Sequence, residues 1–301
     1  MRTHSARRDN RLPSWTLDIA GLRLAVVSDA TGLNRAIEQR FVGYVDSGSP
    51  DLVVRVNVSD AAVVRAAPGT VSASLESRIA TGERTSFSRR VLLHDAPGRT
   101  GRVDVDGGEA EVWVAAAHAL DHTDYFLRLC VALLAFDAGG LLLHAAGVVR
   151  DGIAHAFIGP SGSGKTTVAR HAAPGRILND DLIVLRPSAS GWHAHATPFS
   201  NPTQVAPGGP CRAPLGGVYR LVHGPVATLE AVDTGTAVAD VVASVPVIGL
   251  DPDRAGLLVA RAHAVARAVP VRRLHCRPDP SFWPLIASPA DLAEQGAVAP
   301  A

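Results

Sequence analysis

Hydrophobic and polar residues alternate along much of the first 114 residues, which is the pattern of half-buried β-strands. Residues 15–27 alternate around Gly21 as a hairpin does, and residues 51–58 return to the same alternation. Between these segments, residues 30–45 carry apolar side chains at helical spacing. A further hairpin is predicted where residues 106–108, Asp-Gly-Gly, separate two short apolar runs. The first third of the chain is therefore predicted to be a β-rich module with one helix.

From residue 118 the pattern changes to a long apolar helix followed by strands. The spacing predicts a helix over residues 118–138 and strand-like runs over residues 141–149 and 153–158. The Asp-Gly pair at 151–152 separates the two runs, and this dipeptide between apolar segments is a strong hairpin signal. We place a domain boundary near Val114. Residues 1–114 then form an N-terminal module that could recognise a substrate, and residues 115–301 form a second domain.

The C-terminal part of the chain alternates strands and helices. A short helix is predicted over residues 166–173 and a strand over residues 176–185. Two further helices, over residues 236–245 and 252–269, precede a last strand over residues 271–277. These elements predict an α/β fold.

One glycine-rich segment joins the second arm of the predicted hairpin to the short helix. Residues 159–166 read Gly-Pro-Ser-Gly-Ser-Gly-Lys-Thr and match the phosphate-binding loop (P-loop) pattern G-x-x-x-x-G-K-[ST] at every fixed position. Lys165 is the only lysine of the chain, and the other 28 of its 29 basic residues are arginines. A loop around a triphosphate needs a compact ammonium, which a planar guanidinium does not replace. The segment therefore predicts binding of a nucleoside triphosphate.

The loop residues have distinct predicted tasks. Backbone N–H groups of such a loop form an anion nest, and the glycines let the backbone approach the phosphates. Lys165 would contact the outer phosphates, and the Thr166 hydroxyl would bind Mg²⁺. A nucleoside triphosphate and Mg²⁺ are therefore the expected ligands of the loop. The residues predicted to bind the nucleotide are Gly159, Pro160, Ser161, Gly162, Ser163, Gly164, Lys165, Thr166 and Thr167.

Two adjacent carboxylates, Asp180 and Asp181, lie in the middle of the strand predicted over residues 176–185. Neighbouring residues of a strand point to opposite faces, so one carboxylate can face Mg²⁺ while the other faces an incoming nucleophile. A carboxylate within reach of a hydroxyl can take its proton during phosphoryl transfer. A solvated turn is the alternative, because Asn-Asp-Asp is also a turn-like sequence.

Four histidines need an interpretation. His144 lies on the hairpin arm beside the loop strand and is a candidate for a catalytic role, although a lone histidine on an apolar strand is more often structural. His155 alternates with apolar neighbours and is predicted to be structural. His193 and His195 are two residues apart on one predicted strand, which is the spacing of a metal pair. No third ligand is apparent, so a zinc site is rejected.

Composition excludes several classes of function. A hydrophobic content of 47% with 19% charged residues predicts a folded core. A net charge of +1 without a basic run argues against nucleic acid and anionic membranes as partners. The 3 cysteines are scattered and form no CxxC pair, as expected of reduced thiols in the cytosol. Neither a signal peptide nor a membrane helix is evident. We therefore expect a soluble, cytoplasmic protein.

Together these segments resemble the catalytic domain of HPr kinase/phosphorylase. The resemblance is carried by Leu-His-Ala-Ala-Gly-Val-Val at 143–149, the Asp-Gly hairpin, the P-loop and Asn-Asp-Asp at 179–181. It is closer to the HPr-kinase-related proteins encoded beside peptide-modification genes, including lasso-peptide kinases. The resemblance implies a fold shared with phosphoenolpyruvate carboxykinase. In that fold a P-loop kinase core has a mixed sheet with a hairpin leading into the loop, and here an N-terminal β-rich α/β module would precede it.

The resemblance also implies an activity, namely phosphorylation of a serine hydroxyl with ATP and Mg²⁺. By position, Asp180 would be the general base, Asp181 would support the metal or the base, and His144 would lie beside the reacting phosphate. The chain departs from the family at Thr167, where HPr kinases proper carry an acidic residue, and it lacks their later Gly-Arg-Asn signature. These departures argue against HPr as the substrate and against phosphorylase activity.

The leading hypothesis is a kinase that moves the γ-phosphoryl group of ATP to a hydroxyl of a peptide, a protein or a small metabolite. The family's tendency to assemble makes a homo-oligomer an expectation. The second hypothesis is a nucleotide-binding or ATP-hydrolysing regulatory module with water as its only acceptor. An Asp180 beside a substrate-sized cleft favours the first, and an Asp180 packed away favours the second. A transporter ATPase is rejected, because the chain has no LSGGQ-like sequence and its acidic residues follow the loop too closely.

Overall fold

Two β-sheets form the framework of the protein in a computed structural model that describes residues 15–59, 83–173, 175–199, 205 and 208–286. Within these ranges the strands of the first sheet are β1 (Thr16–Ile19), β2 (Leu22–Ser28), β3 (Val45–Asp46), β4 (Leu52–Ser59), β5 (Arg84–Ser88), β6 (Val91–Ala96), β7 (Arg99–Asp104) and β8 (Glu109–Ala115). Their spatial order is β3-β1-β2-β4-β8-β7-β6-β5. Strands β2, β4 and β8 run parallel, and the other pairs are antiparallel.

The first sheet confirms both predicted hairpins. Strands β1 and β2 pair around Ala20 and Gly21, whose φ angles of 61° and 77° are those of a tight hairpin turn. Strands β7 and β8 pair around residues 106–108. The predicted helix over residues 30–45 is shorter, because α1 (Thr31–Arg40) ends at Arg40 and a short 3₁₀ helix follows at Val42–Tyr44.

The second sheet is mixed and carries the remaining strands, β9 (Leu141–Arg150), β10 (Ile153–Ile158), β11 (Arg176–Asn179), β12 (Leu182–Ser188), β13 (Gly191–His195), β14 (Arg212–His223), β15 (Thr228–Ala231) and β16 (Val271–Cys276). Its order is β10-β9-β12-β13-β14-β16-β15, with β11 paired to β9. Strand β10 also pairs with β14 in parallel. The five strands β10, β9, β12, β13 and β14 therefore form a closed ring of paired strands. Long strand β9 makes this possible, because residues 141–144 pair with β12 and residues 145–150 pair with β10.

The hairpin that enters the glycine-rich loop is confirmed. Arg150 pairs with Ile153, and the two residues between them, Asp151 and Gly152, have φ angles of 52° and 80°. Positive φ at both turn positions is what a two-residue hairpin of this type requires. Strand β10 ends at Ile158 and passes directly into the loop.

Helix α2 (Ala119–Asp137) connects the two sheets. It contacts β7 and β8 on one side and β9 and β12 on the other, and residues 126–136 are buried except Arg128. The hydrophobic core therefore continues across the boundary that was predicted near Val114. The other α-helices among the described residues are α3 (Lys165–Arg170), α4 (Thr234–Val242) and α5 (Pro252–Ala268). No helix within the described ranges is both long enough and apolar enough to cross a membrane.

The prediction of one continuous strand over residues 176–185 is wrong. Strand β11 ends at Asn179 and β12 begins at Leu182, so Asp180 and Asp181 lie in a break between two strands. The argument from alternating strand faces therefore does not apply to these two carboxylates. The physical cause is the Asn179 side chain, described below.

Candidate nucleotide-binding and catalytic site

The glycine-rich loop turns between β10 and α3 through backbone conformations that favour glycine. Gly159, Gly162 and Gly164 have φ angles of 151°, 79° and 101°. A Cβ at Gly159 would also lie 2.6 Å from the Ser163 hydroxyl oxygen, so this position needs close approach as well. Gly162 is exposed, which leaves this part of the loop open to a ligand. Nests of successive backbone N–H groups that bind anions are built from conformations of this kind.

Lys165 folds back over the loop. Its side chain is buried, and Nζ donates hydrogen bonds to the carbonyl oxygens of Gly159 at 2.8 Å and Pro160 at 3.1 Å. Burial lowers the pKa of Lys165, and the negative charge of Asp181 opposes this shift. An ammonium has three donors, so one remains beyond these two bonds. The loop cation therefore lies within electrostatic reach of the carboxylate at the strand break.

Asp181 is held by an imidazole and a guanidinium. The register of the sheet pairs His144 on β9 with Leu182 on β12, which brings the preceding residue, Asp181, to the imidazole. His144 Nε2 lies 3.0 Å from Asp181 Oδ1, and Arg128 Nη1 lies 3.7 Å from Oδ2. His144 is 41% exposed, so the pair reaches solvent on the side of the imidazole.

A second carboxylate, that of Asp124, also forms an ion pair with Arg128. Asp124 lies one helical turn earlier on α2, and its Oδ1 accepts from Arg128 Nε at 2.9 Å, while its Oδ2 accepts from Arg40 Nη2 at 3.2 Å. Asp124 is 2% exposed, and burial raises its pKa, whereas the two arginines act to lower it. This chain of charges links α1 of the first module, through α2, to the site. Sequence spacing shows only the Asp124 to Arg128 step, since the other partners are distant in the chain.

Asp180 has different surroundings from its neighbour. It is 1% exposed, and its Oδ2 accepts a hydrogen bond from the Val205 backbone N–H at 3.2 Å. Its Oδ1 has no hydrogen-bond partner among the described residues. A buried carboxylate oxygen without a partner is costly in a folded protein, and such atoms often have a functional explanation.

Asn179 shapes the break and was given no role by the sequence analysis. It is fully buried, and its Oδ1 accepts from the backbone N–H of Asp181 at 2.7 Å and of Leu182 at 2.9 Å. Its Nδ2 donates to the carbonyl oxygens of Thr197 at 3.1 Å and Phe199 at 2.6 Å. The side chain replaces the ladder bonds that a continuous strand would make. The turn-like sequence Asn-Asp-Asp is the feature from which a break in the strand could have been predicted.

The donors near the loop suit a magnesium ion. Thr166 follows Lys165 and supplies a hydroxyl, and Asp181 supplies a carboxylate that acts electrostatically on the same lysine. Magnesium takes oxygen ligands and is usually held by one or two carboxylates plus substrate phosphates. The residue types present therefore fit the ion that the sequence analysis expects, and Thr166 and Asp181 are the residues that would hold it.

The remaining histidines lie in other environments. His155 is buried between the rings of Tyr219 and Trp283, and burial lowers its pKa to about 4. His193 Nδ1 lies 3.1 Å from the Ser188 hydroxyl oxygen. In the part of the chain that the structure describes, no group of three or more His, Cys, Asp or Glu side chains is arranged to hold a metal. Burial also lowers the pKa of His195 to about 4.

Compared with protein-family models and with curated proteins, the chain matches none. The resemblance to HPr-kinase-related proteins therefore stays a prediction from the residues that carry it.

Proposed function

We propose that the protein is an ATP- and Mg²⁺-dependent kinase that transfers the γ-phosphoryl group to a hydroxyl of a peptide, a protein or a small molecule, and that nucleic acid is not its acceptor. One observation carries the proposal: the buried Lys165 ammonium of a P-loop lies within electrostatic reach of Asp181, which is itself paired with His144 at 3.0 Å. A lysine that contacts the phosphates and a carboxylate that can hold Mg²⁺ are groups that phosphoryl transfer uses.

The loop residues bind and orient the phosphates. Backbone N–H groups between Gly159 and Thr167 receive the phosphate oxygens, and the Lys165 ammonium attracts the outer phosphates. The Thr166 hydroxyl and the Asp181 carboxylate would hold Mg²⁺, which would neutralise charge on the phosphates. His144 carries a side chain that reaches solvent and can donate to a phosphate oxygen beside Asp181.

Asp180 is the proposed general base. Its Oδ1 lacks a partner among the described residues, so this oxygen has the capacity to accept the proton of an attacking hydroxyl. The proton passes from the hydroxyl to the carboxylate as the oxygen attacks the γ-phosphorus, and the bond from phosphorus to the leaving oxygen of the nucleotide breaks. The resemblance of the sequence motifs to HPr-kinase-related proteins implies the same assignment.

A second candidate function has support from the same residue. Asp180 is 1% exposed, which is the packed-away arrangement that favours a nucleotide-binding or ATP-hydrolysing regulatory module. In that case water is the only acceptor, and the carboxylate serves to shape the break between β11 and β12. The two functions differ in whether Asp180 is needed for turnover.

Transfer of label from γ-³²P-ATP in an extract of the source cells separates the two functions. The reaction contains Mg²⁺ and either the wild type, Lys165→Ala or Asp180→Asn. Label on a new peptide, protein or metabolite that is lost with both variants supports the kinase and gives the size of the acceptor. Release of free phosphate alone, lost in Lys165→Ala and kept in Asp180→Asn, supports the hydrolysing module and contradicts the general-base assignment.

A further inference from the structure

Helix α5 has an exposed side that is largely apolar. Its opposite side packs into the core through Leu258, Ala262 and Val265. On the exposed side Leu257 is 49% accessible to solvent, and Val259 beside it is 50% accessible. A surface helix normally carries charged and polar residues opposite its buried stripe, and a continuous apolar surface in their place marks an interaction site. The middle of this exposed face consists of Gly256, Leu257, Ala260, His263 and Ala264.

Gly256 is a glycine inside the helix, on this exposed face. Glycine in a helix interior is less favourable than alanine, because it loses more conformational freedom on folding. No atom of the described residues lies within 4 Å of the position that a Cβ would take at Gly256. Packing within this part of the chain therefore gives no reason for a glycine here. Close approach of a second helix is a reason, because the distance between two packed helices depends on the side chains at the contact.

Opposite charges lie at the two ends of the face. Asp253 is in the first turn of α5 and Arg267 is in the last turn, and both side chains are exposed. Neither side chain forms an ion pair with another residue in the part of the chain that the structure describes. Because an α-helix has 3.6 residues per turn, two positions that differ by 14 lie on nearly the same side of it. The apolar face is therefore bounded by one free carboxylate and one free guanidinium.

This arrangement is complementary to itself. Asp253 and Arg267 each lie seven residues from Ala260, and Gly256 and Ala264 each lie four residues from it. Two antiparallel copies of α5 that cross at Ala260 would set Gly256 against the partner's Ala264. The same crossing would set Asp253 against the partner's Arg267, and every contact would occur twice, as in an isologous interface. We propose that the protein forms a two-fold dimer through this face of α5, with a second copy of the chain as the partner.

Charge also selects the direction of the two helices. In a parallel pair Asp253 would face Asp253 and Arg267 would face Arg267, and like charges in contact disfavour such a complex. The size of the face sets the expected affinity. Helix α5 has 17 residues and is therefore about 25 Å long, so one helix pair buries less than the roughly 1,200 Å² of a standard interface. We therefore expect a dissociation constant of about 10–100 μM.

Sedimentation velocity of the full chain, from about 1 to 200 μM, measures the dimer directly. Ala260→Arg puts a cation at the two-fold axis, where it meets its own copy, and should weaken the dimer at least about tenfold. Val42→Arg is the matched control, because Val42 is 74% exposed and lies in the first module. This control should stay within about twofold of the wild type. Circular dichroism checks that both variants fold.

Exchange of the charges tests the antiparallel arrangement. Asp253→Arg and Arg267→Asp should each weaken the dimer about fivefold to tenfold, because each variant sets like charges against each other at both ends of the face. An equimolar mixture of the two variants again sets opposite charges together at both ends. The mixture should therefore dimerise within about threefold of the wild type.

Three results would overturn the dimer through α5. A wild type that stays monomeric at about 200 μM excludes it, even if the chain then binds vesicles of phosphatidylcholine and phosphatidylserine, which would assign the face to a membrane. A dimer that Ala260→Arg leaves unchanged has its interface elsewhere. A mixture of the two charge variants that dimerises no better than either variant alone contradicts the antiparallel pairing.

Discussion

His144 Nε2 lies 3.0 Å from Asp181 Oδ1, although the two residues are 37 positions apart in the chain. The pairing of β9 with β12 produces this contact, because its register sets His144 opposite Leu182. A slip of one residue would turn every side chain of β12 to the other face of the sheet. The contact therefore depends on the fold of the second sheet as a whole.

Asp181→Asn is expected to abolish most of the turnover of ATP. The variant keeps the size of the side chain but removes the negative charge that acts on Lys165 and pairs with His144. Loss of a group that acts directly in the reaction typically lowers the rate by about 10² to 10⁴. Phosphate release or transfer measures the effect, and Asp151→Asn at the exposed hairpin tip is the matched control. A variant with wild-type turnover would exclude Asp181 from the site.

Asp124→Ala is expected to destabilise the protein by about 3 kcal/mol, because removal of one partner of a buried ion pair leaves the other charges uncompensated. Asp124 holds both Arg128 and Arg40. Asp121 is 65% exposed and lies 4.0 Å from the same Arg40, so Asp121→Ala should cost less than about 1 kcal/mol. Urea unfolding measures both variants. Equal losses of stability would show that Asp124 does not anchor the arginines.

Asn179→Asp is expected to destabilise the break between β11 and β12. The change replaces the Nδ2 donor with an oxygen that faces the carbonyl oxygens of Thr197 and Phe199. Unsatisfied buried polar groups cost about 1–3 kcal/mol each, so a loss of about 3 kcal/mol is expected. The half-buried Asn34 bonds the Ser28 backbone in a similar way, and Asn34→Asp should cost less. Chemical unfolding of the two variants is the measurement, and equal stability would contradict the role given to Asn179.

His155 is expected to make the protein less stable in acid. Burial lowers its pKa from 6.5 to about 4, so the unfolded chain takes up the proton more readily than the folded protein. The contribution of this pKa difference to the free energy of unfolding is fully present above pH 6.5. It is lost as the pH falls from 6.5 toward 4. Between pH 7 and pH 5 the loss attributable to His155 is about 2 kcal/mol.

Urea unfolding at the two pH values tests this expectation. His155→Leu should lose about 2 kcal/mol less than the wild type between pH 7 and pH 5, and His263→Leu on an exposed face should behave like the wild type. If His155→Leu shows the same pH dependence as the wild type, the buried imidazole is not the source of acid sensitivity.

The local features of the site could be predicted from the sequence, whereas its long-range contacts could not. The Asp-Gly turn and the glycines of the loop specify their own backbone conformations, so the hairpin into the loop was predictable. The break at Asp180 was considered only as a turn in solvent, because its burial depends on bonds from Asn179 to carbonyl groups 18 and 20 residues further along. Likewise, the contact of Arg128 with Asp181 follows from the packing of α2 against β12, which periodicity does not reveal.

Binding of Mg–ATP is the measurement that tests the central claim most directly. Titration calorimetry compares the wild type with Lys165→Ala and with Arg170→Ala, which removes an exposed cation from the same helix outside the loop motif. The account predicts that the wild type binds, that Arg170→Ala stays within about twofold, and that Lys165→Ala weakens binding by about a hundredfold or more. Binding that is absent in the wild type, or unchanged in Lys165→Ala, would contradict it.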